Sequence, residues 1–129
     1  MAGKAILIVD DNPANLKLAQ LLLQIEGYGV RTAENAEQAL VSLKTFRPDL
    51  ILMDIQLPGI DGLELTRRLK ADRATRQITI VALTAYAMKG DKQKIADAGC
   101  DGYVTKPIDT RSLPRQLADF LNRPKHAES

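Results

Sequence analysis

The sequence predicts an α/β domain built on one five-stranded parallel sheet with helices on both faces. Three observations carry that expectation. Short aliphatic runs alternate with longer amphipathic stretches five times along 129 residues, with no repeat, low-complexity segment or internal linker, which is the order of strand–helix units joined by right-handed crossovers. Among the short runs, Leu50 to Met53 is continuously apolar rather than alternating, as a strand covered on both faces must be. Four of them stop at Asp10-Asp11, Asp54, Thr84 and Lys106.

Lys4 to Val9 reads as the first strand. Asn12-Pro13 then supplies an N-cap and a first-turn proline for a helix to Glu26, stopped by Gly27. Its apolar residues outnumber a single core-facing stripe, so some of them should be exposed. Tyr28 to Thr32 forms a weaker second strand, and Asn35 with Gln38 opens a helix through Phe46 that Arg47-Pro48 ends. Leu50 to Met53 is the third strand, closed by Asp54 and the turn formers Pro58 and Gly59. Asp61, with Glu64 three residues on, caps a helix carrying Leu63, Leu65 and Leu69; Ala71 to Gln77 is an unpatterned loop.

Ile78 to Leu83 is the fourth strand. Ala85 to Gly90 makes a loop or frayed start before a helix from Asp91 to Ala98, stopped by Gly99. Gly102 to Thr105 is the short fifth strand, and a last helix covers Asp109 to Asn122. Pro114 cannot sit inside it without losing a backbone hydrogen bond, which predicts a late start or a kink. Residues 1–123 form one domain in this reading, and 124–129 a loose tail.

Composition narrows the function. With 45% hydrophobic and 26% charged residues, the chain is of globular type. No apolar stretch is long enough to cross a bilayer and no signal-peptide core follows Met1, so a cytoplasmic protein without membrane attachment is expected. A lone Cys100 builds neither an internal disulfide nor a zinc site. Net charge is +2, and the basic C-terminal residues Arg111, Arg115, Arg123 and Lys125 have no aromatics between them, so no nucleic-acid partner is expected.

In an open parallel sheet the C-terminal strand ends lie along one edge, where ligands bind. Turn chemistry explains any one of the four terminating residues, but not an aliphatic strand that stops at Lys106. Three converging carboxylates raise one another's pKa unless a cation lies between them. Mg²⁺ suits such a site, since it takes one or two protein carboxylates and keeps room for phosphate oxygens. Asp10, Asp11 and Asp54 with one Mg²⁺ and Lys106 sum to zero charge, leaving room for a dianionic phosphoryl group. Asp54 is then the candidate nucleophile, Lys106 a point charge on phosphoryl oxygen and Thr84 a hydroxyl donor.

These residues resemble the response-regulator receiver domains of two-component signalling. The resemblance runs from Ile6 to Leu121 and rests on the acid pair after the first strand, Met53-Asp54-Ile-Gln-Leu-Pro-Gly-Ile-Asp-Gly62, Leu83-Thr84-Ala85 and Lys106-Pro107. It implies strand order 2-1-3-4-5, a flavodoxin-like fold, and Asp54 as phosphoacceptor for a histidine kinase or histidine phosphotransfer protein. It also implies Mg²⁺ held by Asp11, Asp54 and the main-chain carbonyl of Gln56, with Asp10 helping, and a cis Lys106-Pro107 bond. Thr84 and Tyr103 would be the switch, moving inward on phosphorylation and shifting the face of the fourth helix, fifth strand and fifth helix toward a downstream protein effector.

Within the family the chain resembles stand-alone receivers of the DivK cell-division type; a receiver segment of a hybrid histidine kinase would look much the same. A Mg²⁺-dependent aspartyl-phosphate phosphatase is the rival from another class, but its second acid would stand where Gln56 stands, so only self-phosphorylation and self-dephosphorylation are expected. A nucleotide-binding module lacks its glycine-rich loop, and a bare interaction module would not need the full set of site residues. Leu18, Leu21, Leu22 and Ile25 are candidates for docking a partner's helices, Tyr86 for shielding the phosphate from water.

Overall fold

The computed structural model describes residues 4–57, 59–85 and 89–122. The strands are β1 (Ala5–Val9), β2 (Gly29–Ala33), β3 (Leu50–Asp54), β4 (Thr79–Thr84) and β5 (Gly102–Thr105), all parallel and in the order β2-β1-β3-β4-β5. The helices are α1 (Pro13–Ile25), α2 (Ala36–Ser42), α3 (Gly62–Ala71), α4 (Lys89–Asp97) and α5 (Leu113–Asn122). This is the predicted order and fold class.

Successive strand residues point to opposite faces, and both faces are buried. Ile6, Ile8, Leu50, Leu52, Val81 and Leu83 pack with Leu16, Ala19 and Leu23 of α1 and Leu113 and Leu117 of α5. Leu7, Val9, Ile51, Met53 and Ile80 pack with Ala36 and Ala39 of α2 and Leu65 and Leu69 of α3. Two covered faces are why the central strands β1, β3 and β4 are largely aliphatic, whereas the edge strand β2, Gly-Val-Arg-Thr-Ala, is mostly not buried.

Three boundaries differ from expectation by two residues or more. α2 ends at Ser42 rather than Phe46, because the N–H groups of Lys44 and Thr45 bond the carbonyls three residues back, of Val41 and Ser42. The chain tightens there, yet Phe46 still packs on the core, so the apolar spacing survives while the α-helix does not. α4 starts at Lys89, two residues before the expected Asp91. α5 starts late, at Leu113, which leaves Pro114 in the first turn, where its missing N–H has no helical partner to lose. The positive φ of Gly27 and Gly99, 95° and 100°, makes both the helix stops that the sequence suggested.

Away from the chemistry, two acids fasten the other end of the sheet. Asp49 accepts the Ala5 N–H at 2.8 Å. Asp101 Oδ2 accepts the Ile80 N–H at 2.8 Å and Lys70 Nζ at 3.0 Å. The β4–β5 ladder begins only at Val81 and Gly102, so Asp101 satisfies a strand donor just beyond it. Asp101→Ala should therefore destabilise by about 2 kcal/mol, read by urea unfolding. An effect no larger than that of Lys70→Ala would mean that the ion pair, not the backbone bond, is what matters.

Candidate functional site

Register builds the site. Val9 pairs with Met53, so the next residues, Asp10 and Asp54, stand side by side at the C-terminal ends of the two central strands. Asp54 pairs with Leu83, and Thr84 with Thr105, which places Thr84 and Lys106 stepwise further along the same edge. Asp10, Asp11, Asp54 and Lys106 thus come together, with Thr84 one strand further along the same edge.

Asp10, Asp54 and Thr84 are buried, at 0%, 1% and 1% exposure, while Asp11 is exposed. One oxygen each of Asp10, Asp11 and Asp54 lies within 4.8 Å of the others. Lys106 Nζ donates to Asp54 Oδ2 at 3.0 Å, and the Gln56 N–H to Asp54 Oδ1 at 2.9 Å. The Asn12 N–H occupies Asp10 Oδ1 at 2.9 Å. Among the described residues, Asp10 Oδ2 has no donor. Burial, with the Asp54 carboxylate alongside, pushes Asp10 from its usual 3.8 up to about 6.

A buried carboxylate oxygen beside a second carboxylate has two resolutions: a proton shared between them, or a cation. Three carboxylate oxygens converging from two buried and one exposed residue fit a hard divalent ion that keeps part of its shell open to solvent. The residues fit Mg²⁺.

Gly62 is the site residue that sequence reasoning passed over. A Cβ there would stand 2.2 Å from the Asp54 carbonyl oxygen and 2.7 Å from Ile55 Cα, so the first turn of α3 presses against the backbone of the acid itself. Its φ is not positive; close approach rather than a turn demands glycine. The signal in the sequence was a glycine at a helix start whose cap, Asp61 accepting the Glu64 N–H, needed none.

Tyr103 on β5 is half-buried, with Lys92 Nζ of α4 5.7 Å from its ring centre. Gln56 is exposed. Tyr86 and residues 123–129 lie outside the described residues. On α1, Leu18 and Leu22 are half-buried while Leu21 and Ile25 are 48% and 79% exposed, so the helix does carry more apolar surface than its core face uses. No helix among the described residues is long and apolar enough to cross a membrane.

The polar-differentiation response regulator DivK of Brucella anthropi is 47% identical over 112 residues, 87% of this chain and 89% of that one. The chemotaxis response regulator CheY4 of Vibrio cholerae superposes with a TM-score of 0.86 at 26% identity, over 91% of this chain and 98% of its own. A sensor histidine kinase receiver domain from Pseudomonas aeruginosa PAO1 has a TM-score of 0.84 and 38% identity, over 95% of this chain and 100% of its own. That receiver domain carries a magnesium ion coordinated in its active site cleft. Residues 6–118 match the response regulator receiver domain family, and with a relative this similar over most of both chains, the protein belongs to the receiver domains of two-component signalling.

Proposed function

We propose that the chain is a phosphorylation-activated receiver that takes a phosphoryl group onto Asp54 from a histidine kinase or histidine phosphotransfer protein. A carboxylate oxygen of Asp54 attacks phosphorus, the N–P bond of the donor phosphohistidine breaks with its electron pair returning to the imidazole, and an acyl phosphate results. The observation that carries this reading is the buried Asp10 Oδ2, without a donor among the described residues, on a carboxylate that converges with those of Asp11 and Asp54. Mg²⁺ bound by Asp10, Asp11, Asp54 and the Gln56 carbonyl would neutralise charge developing on the phosphoryl oxygens.

The chain's own residues do the rest. Lys106 already contacts Asp54 and exchanges the carboxylate for a phosphoryl oxygen as the product forms. Thr84 supplies a hydroxyl to another, and Tyr103 follows it inward, leaving Lys92. The outcome is a population shift of the α4, β5 and α5 face toward a protein effector. Gln56 stands where a turnover enzyme would place a second acid, so the chain stores the phosphate rather than processing an external substrate. We place it in the cytoplasm, with no membrane or nucleic-acid partner. The likeness to a kinase's receiver domain supports a second arrangement, in which the donor histidine belongs to the same polypeptide; the chemistry is unchanged.

Incubation with acetyl phosphate and Mg²⁺ should add one phosphate to the wild type by intact mass, and none without Mg²⁺ or in Asp54→Asn. A phosphate retained by that variant overturns the assignment.

A further inference from the structure

α1 starts at the acidic edge and runs away from it. At ~1.5 Å rise per residue, Ile25 lies roughly 18 Å along the axis from Pro13. Its inner stripe, Leu16, Ala19 and Leu23, is buried in the core. Leu18, Leu21, Leu22 and Ile25 form a second stripe at the i, i+3, i+4, i+7 spacing of a helix-pairing seam. At the far end of that stripe lies an open groove of about 370 Å³ between α1 and the start of α5, with Leu22, Ile25, Tyr28, Pro114 and Ala118 in its walls and both charge signs at its rim, Glu26 on one side, Arg111 and Arg115 on the other. None of those three charged side chains forms an ion pair among the described residues.

We propose that this groove receives a second copy of the chain, paired about a two-fold axis through the far half of α1. A two-fold interface must be self-complementary, since each residue's partner also meets that residue's copy. This patch meets the requirement: Ile25, at 79% exposure, forms one wall of a hole larger than one aliphatic side chain, so each copy offers both a projecting side chain and a place for the other's, and an anion lies beside cations. Ile25 of each copy enters the other's groove, and Glu26 of each meets Arg111 and Arg115 of the other. A heterologous partner selected by charge would call for one sign; a second copy calls for both. Pairing at this patch uses the far end of α1 and the start of α5. It covers the same α1 stripe that a phosphodonor's helices would use, so dimer and donor complex exclude each other.

Sedimentation velocity of the full chain from micromolar to millimolar concentration tests this. A reversible dimer is expected, weakened at least about tenfold by Ile25→Asp, with the far-ultraviolet circular dichroism unchanged. Val41→Asp, at the other strongly exposed aliphatic, on α2, should leave it intact. Glu26→Arg alone and the pair Arg111→Glu with Arg115→Glu alone should each be monomeric. An equimolar mixture of these two proteins should form a heterodimer, because every reversed charge then meets its opposite. A monomer at all concentrations overturns the proposal, as does a dimer indifferent to these changes. Slowed phosphotransfer from a phosphotransfer protein in Ile25→Asp, with no dimer in the wild type, would assign the groove to that partner instead.

Discussion

Asp10→Asn is expected to make the metal-free protein more stable by about 3 kcal/mol at pH 7 while removing most of its stabilisation by Mg²⁺. The carboxylate of Asp10 is held at about 6 in the folded chain against 3.8 ordinarily, so the folded state binds the proton more tightly than the unfolded one. Between those values the unfolded chain has given up its proton and the folded chain has not. Stability from this group is therefore full below pH 4 and lost as pH rises toward 6; above that, folding must hold a charged, orphaned carboxylate beside Asp54. Asparagine keeps the acceptor for the Asn12 N–H and offers Asp54 a donor in place of a repelling oxygen. Urea unfolding in EDTA and in Mg²⁺, at pH 4 and pH 7, measures each part. Equal stability of variant and wild type at pH 7 in EDTA would sink the account. Function, here, is held at a cost in stability, as expected where like charges await a cation.

Gly62→Ala is expected to act in the opposite direction and on both properties. Alanine in a helix is favoured over glycine by about 1 kcal/mol. The new Cβ, however, meets the Asp54 carbonyl oxygen at 2.2 Å, and backbone cannot rotate aside as a side chain can. Overpacking of that kind costs about 3 kcal/mol, so the net expectation is a loss of about 2 kcal/mol, seen as a lower denaturation midpoint. Displacing the end of β3 also moves Asp54 relative to Lys106, and phosphorylation by acetyl phosphate should slow at least about tenfold. Gly102 is the internal contrast. A Cβ there meets the Phe120 ring at 2.1 Å, but that ring is half-buried and can shift, so Gly102→Ala should cost less. The reverse ranking of the two variants would refute the close-approach argument.

Those two residues also mark what a sequence reveals. The four strand-end residues were readable because parallel strands covered on both faces must be apolar, which makes a carboxylate or an amine at their ends conspicuous. Pro114 announced the late start of α5 because its missing N–H leaves few places for it. Gly62 was silent: its reason for being glycine is the Asp54 carbonyl, reached only once α3 folds back onto β3. The Asp101–Lys70 contact was silent likewise, since its partners are 31 residues apart and neither lies in a patterned position. The end of α2 misled because Phe46 keeps the apolar spacing after the winding has changed. Local and periodic constraints were visible; those set by tertiary approach were not.

The contact between Lys106 and Asp54 spans β4, joining the end of an edge strand to the sheet's centre over two strand spacings, roughly 10 Å. Mechanically it is a guy-line: one end is anchored at the acidic edge, the other on an edge strand with a single strand neighbour. Under the proposed phosphorylation, a phosphoryl group inserted between carboxylate and ammonium would move the anchor point outward. The strain would then fall on the end of β5 and the start of α5, so the far face of the molecule would read the chemical state of Asp54 as slack or tension.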